Sequence, residues 1–323
     1  MVEPIMKGRI IVLGGAGRLG RAAADAFKSA GWQVASLVRG SSAAGAAPGT
    51  EIIEVDASDT ESVIAAASDA DVVLHALNVP YADWGRFALP LADTAIAAAQ
   101  ESRATLVFPG NLYNYGAGMP DRIDETLPMH PTSRKGALRV AIETRMRDAA
   151  QTGLRTIILR AGDYFGGNGV GSWFDRVVIK QIATGRLTYP GPLDTIHEWA
   201  YLPDLARALV RLVEERERLP PFAMFGFAGH AVTGRDFAAA ISRACRRDFK
   251  IDLMPWRLLK AIGVVVPALR ELCDVSYLWS APHTIDGTRL AEIIGEIPHT
   301  PLDQAITASL TALGLRRRGG EIR

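Results

Sequence analysis

Arg9-Ile10-Ile11-Val12-Leu13-Gly14-Gly15-Ala16-Gly17-Arg18-Leu19-Gly20 is the stretch on which the fold turns. A short apolar run stops at glycine. Gly15, Gly17 and Gly20 then satisfy G-x-G-x-x-G, and Gly14, Gly17 and Gly20 satisfy G-x-x-G-x-x-G. Missing side chains let the backbone turn tightly and approach a pyrophosphate, and a helix that starts there aims its free amides at the phosphate charge. Such a motif is informative when it follows a strand and opens a helix, as here. Arg21 to Ala30 is helical in composition, with Gly31 at the capping position.

The same rhythm continues outward. Gln33–Val38, Glu51–Val55, Asp71–Leu74, Thr105–Phe108 and Thr156–Leu159 read as strands. Thr60–Ser68, Leu89–Glu101 and Ser133–Gln151 read as helices between them. Strands alternating with helices predict parallel pairing through right-handed crossovers, hence an α/β doubly wound sheet of the Rossmann type. Residues 1–165 form the expected NAD(P)-binding domain and residues 166–323 a smaller, mainly substrate-binding lobe, with about 194–230 returning to the nucleotide domain. Past Gly162 the glycines thicken (Gly166, Gly167, Gly169, Gly171) and aromatic residues become denser. Thr233 to Asp236 reads as a capping box for a helix through Ala244. Ser41 to Gly49 reads as a surface loop.

The second strand ends Leu37-Val38-Arg39-Gly40, without the acid that an NAD site uses for the ribose 2′-hydroxyl. Arg39, helped by Arg18, is suited instead to a 2′-phosphate through a charge-assisted fork. NADP is therefore the expected cofactor and NAD the alternative. Gly14, Gly15, Gly17, Arg18, Leu19, Gly20 and Arg39 are the first candidate cofactor-binding residues. Asp56, after the third strand, stands where an acid meets adenine, or else caps a turn. Ala76, Leu77 and Asn78, after the fourth strand, should border the ribose and nicotinamide, with His75 a packed strand-end residue.

Composition excludes several classes. The 323 residues carry 36 Lys plus Arg against 35 Asp plus Glu, a net charge of +1, which argues against a dedicated nucleic-acid or anionic-membrane binder. The two cysteines build no disulfide framework. No secretion signal is visible, and the apolar run at Ala261–Leu269 holds Gly263 and Pro267 and is far short of the ~20 residues of a membrane span. A cytoplasmic protein with a small-molecule substrate is expected. The six histidines show no i, i+4 pair, so no metal site is expected, and no G-x-S-x-G elbow points to hydrolysis.

Taken in order, the glycine motif, Val55-Asp56, Asp71–Ala76, Phe108–Gly116, Ile158–Gly162 and Tyr201–Ala206 resemble the extended short-chain dehydrogenase/reductase superfamily, often labelled NAD-dependent epimerase/dehydratase. The resemblance covers most of the chain, best before residue 210, and a helix-mediated homodimer is common in such proteins. Its catalytic residues are a Ser or Thr after the fifth strand and Tyr-x-x-x-Lys on the next helix. Here Asn111 takes the Ser place, Lys135 the Tyr place and Arg139 the Lys place, with Glu143 following. That helix resembles isoflavone-reductase-like proteins, NADPH-dependent atypical members in which a helix lysine handles the proton.

The resemblance thus implies Lys135 as proton donor or acceptor, Asn111 as an amide donor to the substrate oxygen, and Arg139 on the nicotinamide ribose. Tyr113 is the reserve acid. Tyr113, Asn168, Trp173, His197 and Trp199 are the candidate substrate-binding residues, and Asp204 reads as a helix N-cap. The expected activity is NADP(H)-dependent oxidoreduction of a small carbonyl, alcohol or conjugated substrate. The rivals are a sugar-nucleotide epimerase or dehydratase and a non-catalytic NADP-binding regulator or redox sensor.

Overall fold

The structure, a computed structural model, describes residues 7–315. Apolar, β-branched runs form β1 (Arg9–Leu13), β2 (Gln33–Val38), β3 (Glu51–Glu54), β4 (Val72–His75) and β5 (Thr105–Gly110). Ala-rich segments between them form α1 (Arg18–Ser29), α2 (Thr60–Ala66) and α3 (Trp84–Glu101). β6 (Arg122–Ile123) precedes α4 (Arg134–Gln151), β7 (Thr156–Arg160) and β8 (Asp163–Phe165). The rest comprises β9 (Arg186–Tyr189), β10 (Ile196–Tyr201), α5 (Leu202–Glu214), β11 (Phe222–Gly226), β12 (His230–Thr233), α6 (Gly234–Cys245) and β13 (Lys250–Leu253). Then follow α7 (Trp256–Gly263), α8 (Pro267–Cys273), β14 (Thr284–Ile285), α9 (Thr288–Ile294) and α10 (Leu302–Ala312).

Seven strands make one sheet in the order β11-β7-β5-β4-β1-β2-β3, and every pairing in it is parallel. Ile10 through Leu13 are fully buried, as continuous apolar strands covered on both faces must be. α1 and α5 pack on one face, and α2, α3 and α4 on the other. The strand order reverses at β1, whose neighbours are β4 and β2. That switch point opens a crevice at the carboxyl ends of the strands.

A second core, built from Phe165, Phe174, Tyr189, Trp199, Phe237 and Trp279 among others, fills the other lobe. It surrounds the β12-β10-β8 sheet and the pairs β13-β9 and β14-β6. After β10 the chain returns to the large sheet with α5 and β11, while β10 itself stays in the smaller one.

Three expectations are corrected here. α3 begins at Trp84, five residues before Leu89, and carries Pro90 inside it. Proline there marks a helix start locally, but burial of Trp84 and Leu91 extends the helix through it. Asp204 is no N-cap: it lies in the first turn of α5, where it accepts from Thr300 N at 2.5 Å and Thr300 Oγ1 at 2.8 Å, tying α5 to the chain entering α10. The stretch after Arg39 is a 3-10 turn over Gly40–Gly45 rather than an open loop. The capping box is as read, with Thr233 accepting from Asp236 N at 3.1 Å.

Candidate active site

The glycine loop leaves β1 at Gly14, whose φ of +85° suits glycine. A Cβ on Gly15 would lie 2.5 Å from Ser36 Cβ, and one on Gly20 would strike the Gly14 carbonyl. A Cβ on Gly17 would meet Gly14 O at 3.1 Å and otherwise nothing nearer than Ala76 O at 4.0 Å. The outward face of Gly17 is therefore open. Gly17 is also the N-cap of α1 and supplies no capping side chain. The amides of Arg18, Leu19 and Gly20 have no acceptor among the described residues. An unpartnered helix N-terminus beneath a glycine-lined cradle fits a pyrophosphate, so the site accommodates a dinucleotide.

At the far end of that crevice, Arg39 and Asp56 stand close enough to interact, both exposed. Asp56 accepts from Ser58 Oγ at 2.6 Å and Ser58 N at 2.9 Å. These bonds, and Arg39 after them, hold its carboxyl below the usual range. Arg18 points elsewhere than expected. It pairs with the buried Asp175 and donates to the Gly166 carbonyl, so it strapped the glycine-rich segment of the second lobe onto the loop instead of reaching the end of β2.

The other half of the crevice lies beyond β4 and β5. His75 stacks on Phe108 at 5.2 Å, and burial, then Arg139, pushes its pKa down to about 3, so the ring is neutral. The Arg139 guanidinium lies over Trp84 at 4.9 Å and over Phe108 at 5.0 Å. It donates to Pro109 O at 3.3 Å, while its Nε is buried without a partner. A cavity of about 20 Å³ beside it is bordered by His75, Leu77, Asn78, Trp84, Phe108 and Arg139 among others. Arg139, Leu77 and Asn78 thus border one cavity. Glu143 pairs with Arg160 at 2.7 Å, both buried.

Lys135 requires a correction. Its ammonium is buried, but it donates to Glu271 Oε2 at 2.5 Å and to Glu271 O at 2.8 Å, with Asp274 at 3.7 Å. These acceptors come from α8 and the residue after it, so the amine is held by the second lobe rather than presented to a substrate. It also lies 4.8 Å from the centre of the Tyr81 ring. The hydroxyl of Tyr81 meets that of Tyr113 at 2.8 Å. Burial raises Tyr81 to about 12 and Tyr113 well above its usual value. Asn111 sits at the mouth of β5, its Oδ1 accepting from Tyr113 N at 3.1 Å in a tight turn.

The substrate candidates divide. Trp173 is buried against Trp256 and Trp279 and reaches the Tyr81 hydroxyl. His197 bonds Asp163 at 2.9 Å and stacks on Trp279 at 4.1 Å. Trp199 is corrected: it is fully buried, stacked on Phe237 at 4.5 Å, a core residue out of any ligand's reach. Asn168 is corrected too. It lies on the outer groove between α1 and α5 with Arg21 and Arg207, away from the crevice. Tyr81, Asp163 and Glu271 were missed. Tyr81 was signalled only by its place just after the β4 segment, and Asp163 only by following Gly162; Glu271 left no trace, since its partner is 136 positions away.

A parallel doubly wound sheet with a glycine cradle at its switch point defines a dinucleotide-binding protein of the Rossmann class. Residues 10–225 match the model of the NAD dependent epimerase/dehydratase family, and the chain belongs to that family of NAD-dependent enzymes. No protein with a curated description matches it in sequence. Among solved structures it is similar to UDP-glucose 4-epimerase from Brucella ovis in complex with NAD, at 18% identity and a TM-score of 0.76, covering 98% of this chain and 100% of that one. It is similar to UDP-N-acetylglucosamine 4-epimerase from Bacillus cereus, at 18% identity and 0.74, covering 96% and 100%. The UDP-glucose-4-epimerase from Stenotrophomonas maltophila matches at 15% identity and 0.76, covering 95% and 99%. At these identities the likeness is one of fold.

Proposed function

We propose that this chain is an NADP(H)-dependent oxidoreductase acting on a small carbonyl or alcohol, with the Tyr113 hydroxyl as its proton donor. The observation that carries the reading is the buried Tyr81–Tyr113 hydroxyl pair, 2.8 Å apart, beside the Arg139 end of the crevice. The amides of Arg18, Leu19 and Gly20 would hold the pyrophosphate, Arg39 the 2′-phosphate, and Arg139 the nicotinamide side. When bound, the nicotinamide exchanges a hydride with the substrate carbon.

The chain's own part is the proton. Tyr113 is protonated at neutral pH, as any tyrosine is, and burial holds that proton more tightly; in this reading it gives the proton to the oxygen of a carbonyl as the hydride reaches the carbon. Arg139 favours the tyrosinate left behind, against burial and the neighbouring Tyr81 and Asp163, which oppose it, and Lys135 lies behind the Tyr81 ring. Lys135 is then a positioning residue, its charge fixed by Glu271. Asn111 Oδ1 accepts from Tyr113 N and closes the tight turn that carries Tyr113.

The family match favours a second reading: transient oxidation and return of the hydride to the opposite face, which is epimerisation. A screen of aldehydes, ketones and conjugated carbonyls, followed by NADPH consumption, separates the two. Net consumption that falls by about 10²–10⁴ in Tyr113→Phe, the usual contribution of a positioned acid, is the expected result. Full activity in Tyr113→Phe removes the assignment. Isomerisation of a sugar nucleotide without net consumption favours the second reading.

A further inference from the structure

We infer that the α7–α8 hairpin is a docking surface for an anionic lipid membrane. Nine large apolar side chains are exposed among the described residues, and six of them are Leu253, Leu258, Ile262, Val264, Val265 and Val266. Val264 and Val265 are 76% and 79% exposed, more than any other residue of that set. Apolar exposure concentrated in one place marks an interaction surface, whereas scattered single residues do not.

The hairpin is built to project this patch. Gly263 is buried where the two helices touch: a Cβ there would lie 3.1 Å from Arg270 N. The Trp256 indole donates to the Pro190 carbonyl and anchors the base. Leu258 and Ile262, four residues apart, face outward on one side of α7, and Val264–Val266 form the tip.

Charge decides the partner. From Leu253 to Arg270 the sequence has Arg257, Lys260 and Arg270 and no acid. None of the three cations forms an ion pair among the described residues. The acids that flank this stretch are engaged elsewhere, Asp252 with Arg186 and Glu271 and Asp274 with Lys135. An apolar tip flanked by unpaired cations matches the interface of an anionic bilayer, the apolar side chains entering the acyl boundary and the cations meeting headgroups. The whole-chain net charge of +1 hides this because it averages over a surface that is locally polarised. Among the described residues no helix is long and apolar enough to cross a membrane, so the contact is with the surface.

Sedimentation of the full chain with vesicles tests this without any substrate. The wild type should bind phosphatidylcholine vesicles containing phosphatidylglycerol, with affinity falling as salt rises, and bind pure phosphatidylcholine weakly. Val264→Asp with Val265→Asp should weaken binding at least about tenfold. Arg257→Glu with Lys260→Glu, equally exposed, should remove the preference for the anionic vesicles. Circular dichroism confirms the fold of both variants. Failure of the wild type to sediment with either vesicle, or binding unchanged in both variants, overturns the proposal. So does a lipid-free dimer of the wild type that the aspartate pair converts to monomer, since the patch would then be covered by a second copy.

Discussion

Gly17 carries the account at the scale of one residue. Its open face and the unpartnered amides after it leave room for a phosphate, not for a side chain. Gly17→Val should abolish dinucleotide binding in a calorimetric titration while leaving the melting temperature within a few degrees. Normal binding would dismiss the cradle. Arg39 is the matching case for selectivity. NADPH should bind at least about tenfold more tightly than NADH, a charge-assisted contact being worth roughly 1.5–3 kcal/mol, and Arg39→Ala should erase most of that difference.

His75 gives a pH prediction. Its pKa is about 3 in the folded chain against 6.5 in the unfolded one. Below pH 6.5 the unfolded chain takes up a proton that the folded chain refuses, so stability falls with pH from there toward 3. Between pH 6.5 and about 4.5 the loss from this group is about 2 kcal/mol. Urea unfolding of His75→Leu should show a shallower loss by that amount, and an unchanged slope would mean that the ring titrates freely. The glycines and Arg39 stand out in the sequence because what marks them is local: a turn, a helix start, a strand end. Lys135 was legible as a special position but not in its role, because Glu271 reaches it from a helix far along the chain.

Among elements, six strands of the large sheet, all but β11, and α1 to α4 and α6 were legible in the apolar runs and the helical segments between them, whereas the short strands of the second lobe and α5 and α7 to α10 were not. The departures came where tertiary contacts overrule local signals, as at Pro90 inside α3 and at Asp204 bound to Thr300. The Gly166–Asp175 segment is a further element whose order depends on one pair. Asp175 accepts from Gly171 N at 2.5 Å, from Ser172 N and Oγ, and from Arg18. Asp175→Ala strands Arg18 and three local donors at a buried site and should cost about 3–5 kcal/mol. Hydrogen exchange should then rise first in residues 166–175. Exchange that rises uniformly would show that the pair does not hold this segment.

At the scale of the whole molecule, one lobe brings the glycine cradle, Arg39 and Arg139, and the other brings Trp173, Asp163 and the carboxylates that hold Lys135. The proposed chemistry lies where they meet. The change of rhythm after Gly162 is visible in the sequence; the closing of α8 over Lys135 is not, because nothing local to either segment encodes it. A crystal structure of the chain with NADPH tests the assignment most directly. The account predicts the pyrophosphate on the amides of Arg18, Leu19 and Gly20, the 2′-phosphate at Arg39, and the nicotinamide beside Arg139 with the Tyr113 hydroxyl facing its reactive carbon. Electron density that places the nicotinamide outside this crevice, or leaves Tyr113 sealed from it by protein, would contradict the account.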